Sequence, residues 1–354
     1  MIRLLIVDDS ALMRRLLGRL FAEAGDFIVE FARNGQEALE TAAIFQPDVI
    51  TLDIHMPEMD GLACLDRIML QRPCPVVMIS ALTEEGAEQT LAALKMGAVD
   101  FVAKPTRAVS LEIDELGPLI VQKVRVAASI PIRRSRRLKE RIRQAHSPPP
   151  VLRASRSETF AFTAHNRLVL IGSSTGGPPA LEAILSSLPA DFPVPIVVAQ
   201  HMPATFTGPL SRRLDKLCGL SVVEVAQQRA IEPGHVYIAK GDADIILSSR
   251  AARLFALPAP SDAQWIWHPS VDRLVLSAMN LVAPQALIGI LLTGMGSDGA
   301  TAMADLKKAG GRTIAEAAET AVVWGMPGEL VSREGASDVL PLGRIASKLL
   351  EYVQ

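Results

Sequence analysis

Residues 168–177 read Leu168-Val169-Leu170-Ile171-Gly172-Ser173-Ser174-Thr175-Gly176-Gly177. Four apolar residues run into a turn of small residues. Pro178 and Pro179 follow, and apolar residues then recur at helical spacing as far as Leu188. This order predicts strand, tight turn, helix, with proline at the helix start where its missing N–H removes no intrahelical bond. Gly172-Ser173-Ser174-Thr175-Gly176 fits G-x-S-x-G, a turn that lifts a hydroxyl above the end of a parallel sheet. Ser174 is therefore a candidate nucleophile. An ordinary Gly-rich turn has the same composition. The frame from Gly172 to Gly177 also fits the glycine part of a phosphate loop, but Pro178 stands where that loop needs lysine.

The surroundings decide between these readings. After residue 160, strands are expected at 196–199, 222–225, 236–239, 245–247, 254–257, 286–292 and 312–315. Helices are expected at 204–217, 270–281 and 300–308. Short Gly/Asp turns between the middle strands suggest a hairpin, so the sheet is mostly parallel α/β with antiparallel additions. A serine hydroxyl is a weak nucleophile until a base takes its proton, and that base needs an orienting acid. The chain has six histidines. His201, in Gln200-His201-Met202-Pro203, directly follows a parallel-type strand of this half, and Asp298 lies in the Gly-rich turn after another. A lone strand-end histidine is more often structural, and a Gly-flanked aspartate is often a helix cap. Ser174, His201 and Asp298 at one carboxyl edge form a candidate triad. His268, in Trp267-His268-Pro269-Ser270-Val271-Asp272, is a competing base, better suited by its loop to substrate contact or packing. Backbone N–H groups near Thr175 and in Gly294-Met295-Gly296 are candidates for holding an oxyanion.

At 354 residues the chain is expected to form two domains. Its hydrophobic content of 49% and charged content of 21% suit a well-buried α/β protein. Cys64, Cys74 and Cys218 are scattered without metal-ligand spacing, as expected of reduced thiols. No apolar run approaches a membrane span, and the opening residues do not resemble a signal peptide. A cytoplasmic protein is expected. The net charge of −2 hides three regions: residues 1–106 are acidic, 107–157 strongly basic, and 158–354 mildly acidic. These bounds give an N-terminal domain, a connector and a C-terminal domain.

In the first region, buried strands at 4–7, 28–31, 49–52, 76–79 and 101–103 alternate with helices at 11–24, 35–45, 61–70 and 84–96. Five such units predict a doubly wound parallel sheet, which binds ligands at the carboxyl ends of its strands. Asp8 and Asp9 end the first strand, Asp53 the third, Ser80 the fourth and Lys104 the fifth. Single strand-end aspartates usually cap helices. Polar residues on four of five strand ends point instead to a cation and a phosphate. Three carboxylates suit Mg²⁺, and Asp53 can be read as a phosphoryl acceptor.

Val7-Asp8-Asp9-Ser10, the run Leu52 to Gly61, Ser80-Ala81 and Lys104-Pro105 make residues 1–105 resemble a receiver domain of bacterial two-component response regulators. The resemblance implies a flavodoxin-like (βα)5 fold, Mg²⁺ on Asp8, Asp9 and Asp53, and phosphorylation of Asp53 by a histidine kinase. It also implies switch roles for Ser80, Phe101 and Lys104. His55 departs from the Glu or Asn common at its position. The motifs around Ser174, His201, His268 and Asp298 together resemble the CheB family of chemotaxis protein-glutamate methylesterases. Ser173, where relatives often carry alanine, puts a second hydroxyl beside Ser174. This second resemblance implies a Rossmann-like α/β domain at 158–354 and Ser174–His201–Asp298 chemistry that needs no cofactor. The substrates it implies are glutamate methyl esters, and glutamine amides, of methyl-accepting chemotaxis receptors. Such a protein meets the membrane only through those receptors.

The connector holds the basic run 133–143 and Ser147-Pro148-Pro149-Pro150, read as a solvated, partly stiff linker. Nucleic-acid binding is not expected, because no aromatic residues interleave the basic run and no recognition helix follows. A non-catalytic signalling adaptor remains the other reading of the C-terminal half.

Overall fold

The structure, a computed structural model, describes residues 1–81, 83–104, 109–131 and 167–353, and of residues 109–115 the backbone alone. The basic run, the proline run, His146 and His165 lie outside the described residues. The chain divides into two compact units, Met1–Pro149 and Pro150–Gln354.

The first unit is a five-stranded parallel sheet flanked by helices. Its elements are β1 (Ile2–Val7), α1 (Ala11–Ala24), β2 (Phe27–Ala32), α2 (Gly35–Phe45), β3 (Val49–Asp53), α3 (Gly61–Gln71), β4 (Val76–Ser80), α4 (Glu84–Met96), β5 (Asp100–Ala103) and α5 (Val109–Ala128). The strand order is β2-β1-β3-β4-β5. Every residue of β3 and β4 is buried, as expected for strands covered on both faces, and this explains why their apolar residues, broken in β3 only by the buried Thr51, do not alternate with exposed polar ones. Leu4, Ile6, Phe21, Val49, Val77 and Val124 belong to one core cluster. Winding reverses between β1 and β3, so Asp8 and Asp53 emerge at the topological switch point.

The second unit is built on a seven-stranded sheet of order β15-β14-β13-β6-β7-β10-β8, parallel throughout. Its first part comprises β6 (Leu168–Ser173), α6 (Gly177–Leu185), β7 (Ile196–Gln200), α7 (Ala204–Leu217), β8 (Ser221–Val225), β9 (Arg229–Ala230) and β10 (His235–Ala239). Then come β11 (Asp244–Arg250), β12 (Arg253–Ala259), α8 (Val271–Met279) and β13 (Leu287–Leu291). The unit ends with α9 (Ala300–Lys308), β14 (Arg312–Glu316), α10 (Met326–Ser332), β15 (Asp338–Leu340) and α11 (Leu342–Val353). Leu168, Val169, Leu170 and Ile171 of β6 are all fully buried. Each such side chain contributes roughly 1.5–3 kcal/mol by leaving water. This central strand fixes where the turn after it emerges. Here too the winding reverses, between β7 and β13 on either side of β6.

The hairpin lies elsewhere than the Gly/Asp turns suggest. Gly241 and Asp242 carry the chain out of the parallel sheet, and β10 pairs only in parallel, with β7 and β8. The antiparallel pair is β11 with β12, which form a separate three-stranded sheet with β9. Its two-residue turn is Ala251-Ala252, both left-handed (φ 49° and 57°). Such turns ordinarily use Gly or Asn, so nothing in the residue types announced it.

Among the described residues no helix is long and apolar enough to cross a membrane. All three cysteines are buried, and burial pushes the thiols of Cys64 and Cys74 up to about 12. Thiolate is the reactive form, so a maleimide at pH 8 is expected to label neither residue in the folded chain, and both after denaturation. Mass spectrometry of the labelled chain checks this, and rapid labelling of either residue before denaturation would contradict the packing.

Candidate active site

At the switch point of the first unit, Asp8 and Asp53 are buried and Asp9 is exposed. One carboxylate oxygen from each lies within 4.8 Å of the others. Lys104 Nζ donates to Asp53 Oδ2 at 2.6 Å and lies 2.9 Å from Asp8 Oδ2. Burial pushes the Asp53 carboxyl up, against the pull of Lys104. Burial works against the Lys104 ammonium, but Asp8 and Asp53 hold it above the ordinary lysine range. Asp8 Oδ2 is buried and faces Lys104 Nζ as its charged neighbour. An oxygen donor set of this kind fits a hard divalent cation. Ser80 is fully buried, and its hydroxyl donates to Gly86 O at 3.1 Å, toward α4. Phe101 is buried with Lys123 Nζ 5.3 Å from its ring centroid, and His55 is exposed.

The second unit brings Ser174, His201 and Asp298 to one end of its sheet, after β6, β7 and β13. The turn holding Ser174 is stitched to both neighbours. Its N–H donates to Thr293 O at 3.0 Å, and its carbonyl accepts from Gly177 N and from Gln200 Nε2. His201 N–H continues the ladder to Ser173 O. Two glycines make this closeness possible. A Cβ on Gly177 would sit 2.0 Å from Gln200 Oε1, and one on Gly294 would sit 2.8 Å from Ser174 Cβ.

His201 Nε2 meets Asp298 Oδ2 at 2.8 Å, and both side chains are 6% exposed. The imidazole stacks on Trp267, with centroids 5.3 Å apart and planes 7° from parallel. Its Nδ1 is buried and has no hydrogen-bond partner. Asp298 Oδ2 also accepts from Val271 N at 2.7 Å, while Oδ1 accepts from Ser270 Oγ and Asp272 N, each at 3.1 Å. Burial alone would raise the Asp298 carboxyl. The His201 contact and the helix N–H groups outweigh it and hold the group below the usual carboxylate range. An ionised Asp298 accepts a hydrogen bond from Nε2–H, so the proton stays on Nε2 and Nδ1 carries the lone pair. That nitrogen is the basic atom available in the ring.

The Ser173 hydroxyl is turned away from this edge. The residue is fully buried, and Oγ donates to Gln200 Oε1 at 2.6 Å. Gln200 in turn donates to the carbonyls of Ser174 and His201, tying the two turns together. Sequence reasoning gave Gln200 no role, because a strand-end amide carries no chemistry of its own.

His268 is not paired with Asp298. Its Nδ1 lies 3.0 Å from Oδ1 of the buried Asp244, whose Oδ2 lies 2.6 Å from Arg273 Nη1. Within the Gly294-Met295-Gly296 turn, Gly294 N–H is committed to Val323 O. Among the described residues the N–H groups of Met295 and Gly296 have no partner, which narrows the oxyanion candidates there. The Met295 side chain is buried. Thr175 O accepts from Thr293 Oγ1, which draws these two turns together. Thr293 N–H itself donates to the buried carboxylate of Glu316, which the sequence did not single out.

A doubly wound unit with three carboxylates and a lysine at its switch point, followed by a parallel α/β unit with serine, histidine and aspartate at its own, defines a response regulator with a hydrolase-type effector domain. Residues 4–113 match the response regulator receiver domain, and residues 169–349 match CheB methylesterase. The chain belongs to the CheB methylesterase family. It is 54% identical over 360 residues to protein-glutamate methylesterase/protein-glutamine glutaminase 2 of Rhodopseudomonas palustris (strain BisB18), covering 99% of this chain and 98% of that protein. It is 52% identical over 354 residues to the corresponding protein 3 of Rhodospirillum rubrum, covering 99% and 95%. The solved Thermotoga maritima CheB methylesterase catalytic domain aligns with a TM-score of 0.51 and 41% identity, over 52% of this chain and 98% of that domain.

Proposed function

We propose that this chain is a phosphorylation-activated protein-glutamate methylesterase of chemotaxis adaptation, which also deamidates protein glutamine. Its division is a receiver at 1–106, a connector at 107–157 and a catalytic domain at 158–354. The observation that carries the reading is the His201–Asp298 pair, with Nδ1 unpartnered at the end of the sheet where Ser174 emerges. In the reaction, His201 Nδ1 accepts the Ser174 hydroxyl proton as Oγ bonds to the ester carbonyl carbon. Asp298 holds the imidazolium. N–H groups of Met295 and the Thr175 turn face the developing oxyanion, each such donor being worth on the order of 3 kcal/mol. The C–O bond to the methoxyl group then breaks and methanol leaves with the proton from His201. Water, deprotonated by the same nitrogen, attacks the acyl-enzyme, releasing glutamate and restoring Ser174. With a glutamine substrate the leaving group is ammonia. No metal enters these steps.

The substrates are glutamyl side chains of methyl-accepting chemotaxis receptors, and the phosphodonor is a histidine kinase. The protein works in the cytoplasm and reaches the membrane through the receptors alone. Asp53 is the phosphoryl acceptor, Lys104 pairs with the bound phosphoryl group, and Ser80 and Phe101 are its switch residues. Asp8, Asp9 and Asp53 would hold Mg²⁺, which neutralises charge when phosphoryl transfer occurs.

Methanol release from methylated receptor membranes is the direct test. A small-molecule phosphodonor with Mg²⁺ is expected to raise the rate severalfold, and removal of Mg²⁺ with EDTA, or Asp53→Asn, to remove the increase. Stimulation that persists in Asp53→Asn would place the phosphoryl acceptor elsewhere. No methanol release under either condition would refute the esterase reading.

A further inference from the structure

Helix α9 has no cap of its own, because its N-cap position is Gly299. The acceptor comes from another helix. Asp272, in the first turn of α8, accepts the Ala302 N–H at 2.9 Å and also faces the Gly299 N–H. Helix α9 provides the reverse. Asp298, one residue before Gly299, accepts the N–H groups of Val271 and Asp272 and the Ser270 hydroxyl at the start of α8. Each helix is therefore capped by a carboxylate carried at the start of the other, which satisfies N–H groups that would otherwise be orphaned.

Burial and the nearby Asp298 push the Asp272 carboxyl up to about 6 against the pull of the Ala302 and Gly299 N–H groups, whereas Asp298, despite its burial, is held low by His201 and the N–H groups at the start of α8. Three of the four donors to Asp298 belong to residues 270–272. The carboxylate points at His201 while the start of α8 stays against the turn before α9; Asp244 anchors that start through the Ser270 N–H, and Asp272 ties it to α9.

We propose that Asp272 is a positioning residue: by capping α9 from α8, it locks the Asp298 carboxylate on the line to His201 Nε2. Its meaning for catalysis rests on the Ser174–His201–Asp298 reading above, whereas its geometry does not.

The test uses the full chain with ¹⁵N-labelled histidine, together with the rate at which diisopropyl fluorophosphate labels Ser174. In the wild type, His201 Nε2–H bonded to Asp298 gives a low-field proton resonance, assigned by its loss in Asp298→Ala. Asp272→Ala is expected to lose or broaden that resonance and to lower the labelling rate about tenfold or more, as a misplaced orienting group does. Asp272→Asn keeps an oxygen for the Ala302 N–H, so it retains the resonance and most of the rate. A cap with a merely structural role would lower the unfolding midpoint of Asp272→Ala and leave resonance and rate intact at temperatures where it is folded. That outcome overturns the proposal. Loss in Asp272→Asn equal to that in Asp272→Ala also overturns it, and the asparagine variant carries the test if the alanine one does not fold. If the wild type itself is not labelled, the serine reading fails, while the His201 resonance still decides the role of Asp272.

Discussion

Ser174→Ala is expected to abolish ester hydrolysis, lowering kcat by about a million-fold, equivalent to about 8 kcal/mol of transition-state stabilisation. Losing the nucleophile leaves a site with an oriented base and oxyanion donors but nothing to acylate. The change removes one oxygen from a residue only 8% exposed and leaves the backbone bonds of Ser174 to Thr293, Gly177 and Gln200 in place. Circular dichroism should therefore match the wild type, and Asp53 should still accept phosphate. The informative control is its neighbour. Ser173→Ala removes a hydroxyl that only orients Gln200, so it should cost far less and leave phosphonate labelling at Ser174. Methanol release by Ser174→Ala near the wild-type rate would end the assignment. Labelling that moved to Ser173 would replace it.

Asp298→Asn should lower kcat on the order of 10⁴-fold, about 5 kcal/mol. The asparagine amide cannot satisfy the four donors that converge on the carboxylate. With its oxygen toward His201 and Val271, its NH₂ group faces the Asp272 N–H. Turned the other way, the NH₂ group meets His201 Nε2, which must then give up its proton and become the acceptor. The proton moves to Nδ1, and the base is blocked at the atom that should receive the serine proton. Loss of the anion also removes what stabilises the imidazolium. The measurement is kcat for methanol release across pH. A variant within tenfold of the wild type would remove Asp298 from the mechanism and leave it a helix cap.

Much of this architecture was legible because its strands are buried on both faces. In β1, β3, β4, β6, β7 and β13 the apolar residues run without alternation, and each run ends in a polar residue or small-residue turn. Parallel sheets place those ends together, so Asp8, Asp53, Ser174, His201 and Asp298 could be gathered from order along the chain alone. The hairpin was displaced because its turn is made by two alanines, whose left-handed backbone is imposed by the flanking antiparallel pairing. The C-terminal helix Leu342–Val353 was not placed, although Ile345, Ala346 and Leu349 carry the 3–4 spacing of a one-sided helix. The sequence favoured Ser174 over Ser173, but what Ser173 itself does was beyond local reading: its hydroxyl is taken by Gln200, which is 27 residues away in sequence and next to it in space. The same holds for Asp272 and Asp298, whose exchange of caps joins residues 26 apart.

The Gln200 amide has a consequence for how such a site can vary. It fastens the carbonyl of Ser174 to that of His201, so the two turns form a single cassette after adjacent strands. Asp298 belongs to a second cassette, bracketed by two helices. Chimaeras that exchange either cassette whole preserve its internal wiring, whereas a crossover between residues 174 and 200 splits the first one. Recombination among relatives should accordingly tolerate breakpoints between β8 and β12 far better than breakpoints within α6.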